Sequence, residues 1–234
     1  MAILQLYPPK EFYSSVDPRA FQPGQFCWIP VPHPDPIPRI LDVDRSSPEE
    51  HSQVKFLMRN ANSKGDFRTN DRGLPIKYLN LRSNEELLVQ RAKKRPGIII
   101  CSEVDVFPAI TELLRSKRKK HLQEDCLFVI PCYGIETREN STGFPAEMVE
   151  RIRCLLYRQF FYLPPYKAFT EGIARLDRIQ VVIGRDPASI EPSDFSLSKE
   201  VFDLFLAIFL YCISGIEDED LAPVRSLIME TYAG

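Results

Sequence analysis

The chain has 234 residues, 44% hydrophobic and 26% charged, with a formal net charge of −2. That length and balance specify one large globular domain or two small ones with a proper core, and exclude a disordered or fibrous chain. Near-neutral charge also excludes a surface that attracts polyanions everywhere, so any nucleic-acid site must be a local patch.

The start, Met1 to Leu6, lacks a basic n-region and an apolar h-region, so no secretory signal is expected. Residues 1–22 are rich in proline and aromatics and read as an arm lying on a surface. Gly24 to Val31 (GQFCWIPV) is a strand opened by the Pro23–Gly24 turn. Alternating prolines from Pro32 to Pro38 then favour an extended loop, where neither helix nor central strand persists.

Arg39 to Val43 and Lys55 to Met58 suit strands, and Asn60 to Gly73 suits a polar loop or hairpin tip. Lys77 to Leu81 alternates weakly. Ser83 followed by Glu85 and Glu86 favours a short helix to Gln90, with an extended Leu87–Val89 as the competing reading. Ile98 to Cys101 is a buried strand.

Pro108 to Lys120 reads as a helix, with proline in its first turn and cations at its end. Cys126 to Cys132, Tyr157 to Leu163 and Ile179 to Ile183 are further strands. Ser196 or Ser198 opens an apolar helix to Ser214 that Gly215 closes, and a last short helix follows the acidic turn Glu217–Asp220. The longest apolar run, Val201 to Ile213, is too short for a bilayer span of roughly 20 residues. Six cysteines without any C-x-x-C pair, several inside apolar runs, fit a reduced cytoplasmic setting.

The most informative stretch is Lys93–Lys94–Arg95–Pro96–Gly97 running into Ile98–Ile100. Pro96 fixes its own φ and holds Arg95 extended, so a planar two-pronged cation stands at the mouth of a strand. Such a fork grips two phosphate oxygens at once. The run Arg115, Lys117, Arg118, Lys119, Lys120 offers five cations within seven positions, which suits either a nucleic-acid backbone or the C-terminal dipole of a helix. Trp28, Phe160, Phe161 and Tyr162 suit base stacking or a strand core. There is no P-loop, no dinucleotide-binding glycine motif and no nucleophile elbow. The three isolated histidines argue against zinc.

Four segments in order resemble the MazF/PemK family of plasmid-maintenance and toxin–antitoxin endoribonucleases. They are Pro23–Val31, Lys93–Ile100, Leu127–Cys132 with Gly143–Phe144–Pro145 downstream, and Glu171–Val182. The resemblance implies a mainly β fold with added helices (α+β), built as an SH3-like small barrel with an apolar C-terminal helix. It divides the chain into an arm at 1–22, an insertion at 36–88 and C-terminal helices at 196–234, all in one domain. It implies metal-independent cleavage of single-stranded RNA with no cofactor, a homodimer, an antitoxin protein as partner and no membrane.

On these residues Arg95 stabilises phosphate charge and Tyr133 is its hydroxyl partner, with Lys93, Lys94 and the basic run Arg115–Lys120 along the RNA. The sequence also departs from the family. Gln25 stands where an aspartate is usual, Gln90 where some members carry an acid, and Tyr133 where a serine or threonine follows the strand. Glu136, Glu139 and His121 are other acid–base candidates nearby. Two functions stay open: a divergent endoribonuclease toxin, and an inactive RNA- or protein-binding module that has kept the barrel.

Overall fold

The computed structural model describes residues 2–45, 54–62, 64–67, 84–101, 108–117, 119 and 125–232. It is mainly β, with 36% strand and 25% helix. The chain divides into two compact units, one of residues 1–31 with 94–234 and one of residues 32–93.

In the first unit α1 (Ile3–Leu6) precedes β1 (Tyr13–Ser15) and β2 (Gln25–His33). Then come β6 (Arg91–Cys101), α2 (Pro108–Ser116), β7 (Cys126–Gly134), α3 (Ala146–Arg153), β8 (Phe160–Leu163) and β9 (Gly172–Arg175). The chain ends with β10 (Gln180–Ile183), β11 (Glu191–Leu197), α4 (Lys199–Ser214) and α5 (Leu221–Tyr232). The sheet runs β1-β11-β2-β6-β7-β9-β8, with β10 also paired to β7.

The expected barrel is not closed: no backbone ladder joins β1 to β8. The two edges nonetheless approach. The Tyr13 hydroxyl donates to the Pro164 carbonyl at 2.6 Å, just beyond β8, and the Phe12 and Phe161 rings lie 6.3 Å apart. Aromatic packing thus brings together edges that backbone hydrogen bonds do not join. The arm at 1–22 is more than a surface cover, because Phe12 and Ile3 are fully buried and β1 pairs with β11.

Strand alternation explains the two cores. Phe26, Ile98 and Ile130 face the large cluster that Val201, Leu204, Phe205 and Ile208 of α4 also enter. Cys27, Ile29, Ile99 and Val129 face a smaller cluster on the other side. Cys27 and Cys132 are buried as small hydrophobes, and burial pushes both thiols up, away from reactivity. Gly97 is required by close approach: a Cβ there would lie 2.6 Å from Cγ1 of Val129. Gly215 ends α4 at φ 74°, a conformation glycine adopts without a Cβ clash.

In the second unit β3 (Arg39–Arg45) lies between β4 (Val54–Asn60) and β5 (Leu88–Val89). Arg59 bonds both Asp42 and Asp66, so one guanidinium ties β4 to β3 and to the turn at 64–67. Over the described residues 84–90 the expected short helix does not form, and the competing extended reading of Leu87–Val89 is the nearer one. Residues 85–87 are irregular and Leu88–Val89 pairs with Arg39 and Ile40, so strand pairing outweighs the local capping signal. β2 also continues to His33, through Pro32, where the sequence pattern would end it. The weakly alternating Lys77–Leu81 lies outside the described residues.

Among the described residues no helix is long and apolar enough to cross a membrane.

Candidate functional site

Arg95 enters the site because β6 is held in register with β7 from Gly97 onward. The β6–β7 register pairs Gly97 with Pro131 and Ile98 with Ile130. Carried two residues outward, the same register sets Arg95 opposite Tyr133 on one face. The guanidinium carbon of Arg95 accordingly lies 4.3 Å from the centre of the Tyr133 ring.

A second cation flanks that ring. Arg175 is 5.8 Å from the Tyr133 centroid and 5.3 Å from that of Phe160, its cross-strand partner in the β8–β9 ladder. Asp177 fixes Arg175 through two hydrogen bonds, at 2.7 and 2.5 Å. Those bonds hold the Asp177 carboxyl below its ordinary pKa and the Arg175 guanidinium above its own. The Phe160 ring is buried and meets Tyr157 and Phe144 edge to face, at 5.9 and 5.2 Å, so beyond Arg175 the stripe passes into the core.

Two arginines on one aromatic stripe make an anion-binding strip with flat faces beside the charges. Arg175 is neutralised in part by Asp177. Among the described residues, Arg95 has no carboxylate within ion-pair distance, and the Tyr133 hydroxyl has no hydrogen-bond partner. Arg95 is half-buried, so its ring backing replaces part of its hydration and leaves the fork open to a ligand oxygen.

Of the residues expected from sequence, the structure brings Arg95 and Tyr133 together. Lys94 alternates with Arg95 along β6, and therefore faces the other side, where it pairs with Glu191. Lys93 is exposed and belongs to the second unit. Arg115, Lys117 and Lys119 are exposed at and just beyond the end of α2, where cations complement the helix dipole. Arg118, Lys120 and His121 lie outside the described residues. Glu136 and Glu139 are exposed on the loop after β7, and neither bonds Arg95 or Tyr133.

Phe160, Phe161 and Tyr162 are core residues. Tyr162 is 1% exposed and donates to Glu171 at 2.5 Å. Gln25 is also structural. It is fully buried, donates to the carbonyls of Asp17, Pro18 and Ser193, and accepts from the Gln22 amide. An aspartate has no N–H to give those three carbonyls, so the amide at this position belongs to the packing of this chain.

Sequence reasoning missed Arg175 and Asp177. The available signal was their i, i+2 spacing at the end of a strand, together with the two-residue strand period that sets Arg175 across from Phe160. Comparison with known proteins gives no matching family model, no matching curated protein and no matching solved structure.

Proposed function

We propose that this chain is a divergent MazF/PemK-like protein that binds single-stranded RNA along the Arg95–Tyr133–Arg175 strip. One observation carries the reading: the Arg95 fork has no carboxylate partner among the described residues and is backed by a tyrosine ring at 4.3 Å. Such a fork takes phosphate oxygens in pairs, and the half-buried Tyr133 offers ring surface to an adjacent base. The curled sheet, whose edges meet at Tyr13 and Pro164, supports a small barrel left unclosed.

Binding is favoured over cleavage by the proton chemistry. Metal-free cleavage needs a base for the 2′-hydroxyl and an acid for the leaving oxygen. Guanidinium does not deprotonate in proteins, and Asp177 is committed to Arg175. The second reading, an endoribonuclease toxin, is favoured by the Tyr133 hydroxyl, which has no hydrogen-bond partner among the described residues and belongs to the ring that backs Arg95. A homodimer and an antitoxin partner come with the same family reading, and the cysteine usage favours a reducing cytoplasmic location. The exposed Leu210 and Ile213 on α4 are the surface on which to look for a second copy.

The test is fluorescence anisotropy with a labelled single-stranded RNA at several salt concentrations, followed by gel analysis of the same RNA. Binding is expected with an affinity that falls with salt, and Arg95→Ala reduces that affinity without altering the fold. RNA left intact by the wild-type chain favours the binding module. RNA cut by the wild type and spared by Arg95→Ala, with growth arrest on expression, favours the toxin. No binding and no cleavage would remove both.

A further inference from the structure

A cavity of about 280 Å³ opens at the mouth of the sheet, and the strip built on Arg95 does not include it. Pro96 lines it, and Pro96 alternates with Arg95 along β6, so the two sites face opposite sides of the same strand. Its walls are aromatic. Phe26, Phe169 and Phe195 form a fully packed floor, 1%, 4% and 5% exposed, while Trp28 is only half-buried and presents ring surface to the opening.

The rim is polar and held in place. The Lys167 ammonium donates to the Asp194 carboxylate at 2.8 Å, and Ser193 stands next in sequence. Lys167 sits at φ 50°, in a two-residue turn closed by reciprocal hydrogen bonds between Tyr166 and Phe169, at 3.0 and 2.9 Å. A long side chain rarely occupies that left-handed region, and the position normally favours glycine. Strain of this kind is retained where the placed side chain has a use. A second ion pair, Lys94 with Glu191, spans Trp28: Glu191 is its register partner on β11 and Lys94 lies on β6 at its other side.

The volume lies at the lower limit of ligand pockets, which begin at roughly 300 Å³, and so suits one ring system rather than a peptide segment. Aromatic walls favour a flat ring. The rim sets one strong donor directly beside one two-oxygen acceptor. A bare cation would meet Lys167, a bare anion would meet Asp194, and an apolar ring would leave both unused. The fitting edge is neutral, with an acceptor adjacent to two donors. Among nucleobases guanine presents it: O6 accepts from the ammonium while the N1 and N2 hydrogens go to the carboxylate oxygens.

The geometry points to a guanine-binding pocket, with the base stacked on Trp28 and its edge read by Lys167 and Asp194. The site is independent of the Arg95 reading, since it shares neither residues nor strand face with that strip. Trp28 is the only tryptophan in the chain, so its emission reports the site directly.

The experiment titrates the full chain with guanosine, adenosine, cytidine and uridine, following tryptophan emission and heat of binding. Guanosine quenches the emission saturably and binds at least tenfold more tightly than the other three. Asp194→Asn, a change at an exposed side chain, removes at least tenfold of that preference while the circular dichroism stays unchanged. A uridine-only oligonucleotide leaves the guanosine titration unaltered, whether or not it binds at Arg95. Absence of saturable guanosine binding, equal affinity for the four nucleosides, or displacement of guanosine by the oligonucleotide would each overturn the assignment.

Discussion

The Arg95 guanidinium lies over the Tyr133 ring with 4.3 Å between the charge and the ring centre. The contact follows from β6–β7 register, because Gly97 paired with Pro131 carries Arg95 to Tyr133 two residues further out. The tyrosine therefore acts first as a ring and only second as a hydroxyl. Tyr133→Phe is expected to keep RNA affinity within about twofold in an anisotropy titration. Tyr133→Ala loses the cation–π backing of about 0.5–2 kcal/mol, a few-fold to roughly thirtyfold in Kd. An equal loss in both variants would show that the hydroxyl, not the ring, does the binding.

Gln25 opens β2, and its buried amide donates to three carbonyls. Gln25→Glu removes the donor and aims a carboxylate at those oxygens. Burying such a group without partners costs about 1–3 kcal/mol, and more if it is charged. Urea unfolding should show a lower midpoint for Gln25→Glu with an unchanged m-value. A midpoint equal to wild type would mean that Gln25 does not clamp the arm to β11.

Gly97 pairs with Pro131 in the β6–β7 ladder and leaves no room for a side chain. Gly97→Ala places a methyl 2.6 Å from Val129 Cγ1 and 3.2 Å from the Ile130 carbonyl. Overpacking of this kind costs about 1–3 kcal/mol. Because Arg95 takes its position from this ladder, RNA affinity should fall together with thermal stability. Unchanged melting and unchanged affinity would contradict the register-based origin of the site.

The Arg175–Asp177 pair sets a pH dependence. Asp177 has its pKa lowered in the folded chain, chiefly by the hydrogen bonds from Arg175. Its contribution is complete above the unfolded aspartate value of about 3.9 and is lost as pH falls through the lower folded value. Arg175 stays charged across that window. Stability measured between pH 5 and pH 2 (roughly the range in which aspartates titrate) should fall less steeply in Asp177→Asn than in wild type. Identical slopes would show that the pair contributes nothing to acid unfolding.

The sequence by itself determined the elements whose signals are local. Ile98–Cys101 and Cys126–Cys132 fall within continuous strands, since runs of β-branched and apolar residues have few other places to go. Gly215 stops α4 where a Cβ would oppose the left-handed turn. The strand mouth expected at Arg95–Pro96 is not there: β6 already starts at Arg91, so Arg95 lies within the strand, and it meets Tyr133 through the β6–β7 register rather than any short-range pattern.

Only the tertiary structure decided what surrounds them. Arg175 reaches Tyr133 through strand register between segments some forty residues apart, which local pattern does not encode. The split of Lys94 from Arg95 onto opposite faces likewise depends on which face of β6 each core covers. The arm at 1–22 gained a strand because β11, far along the chain, offered a free edge. The Ser83–Gln90 helix lost to pairing with β3 for the same reason: long-range hydrogen bonds and burial outweigh a local preference worth a fraction of a kcal/mol per residue, on the order of 0.5.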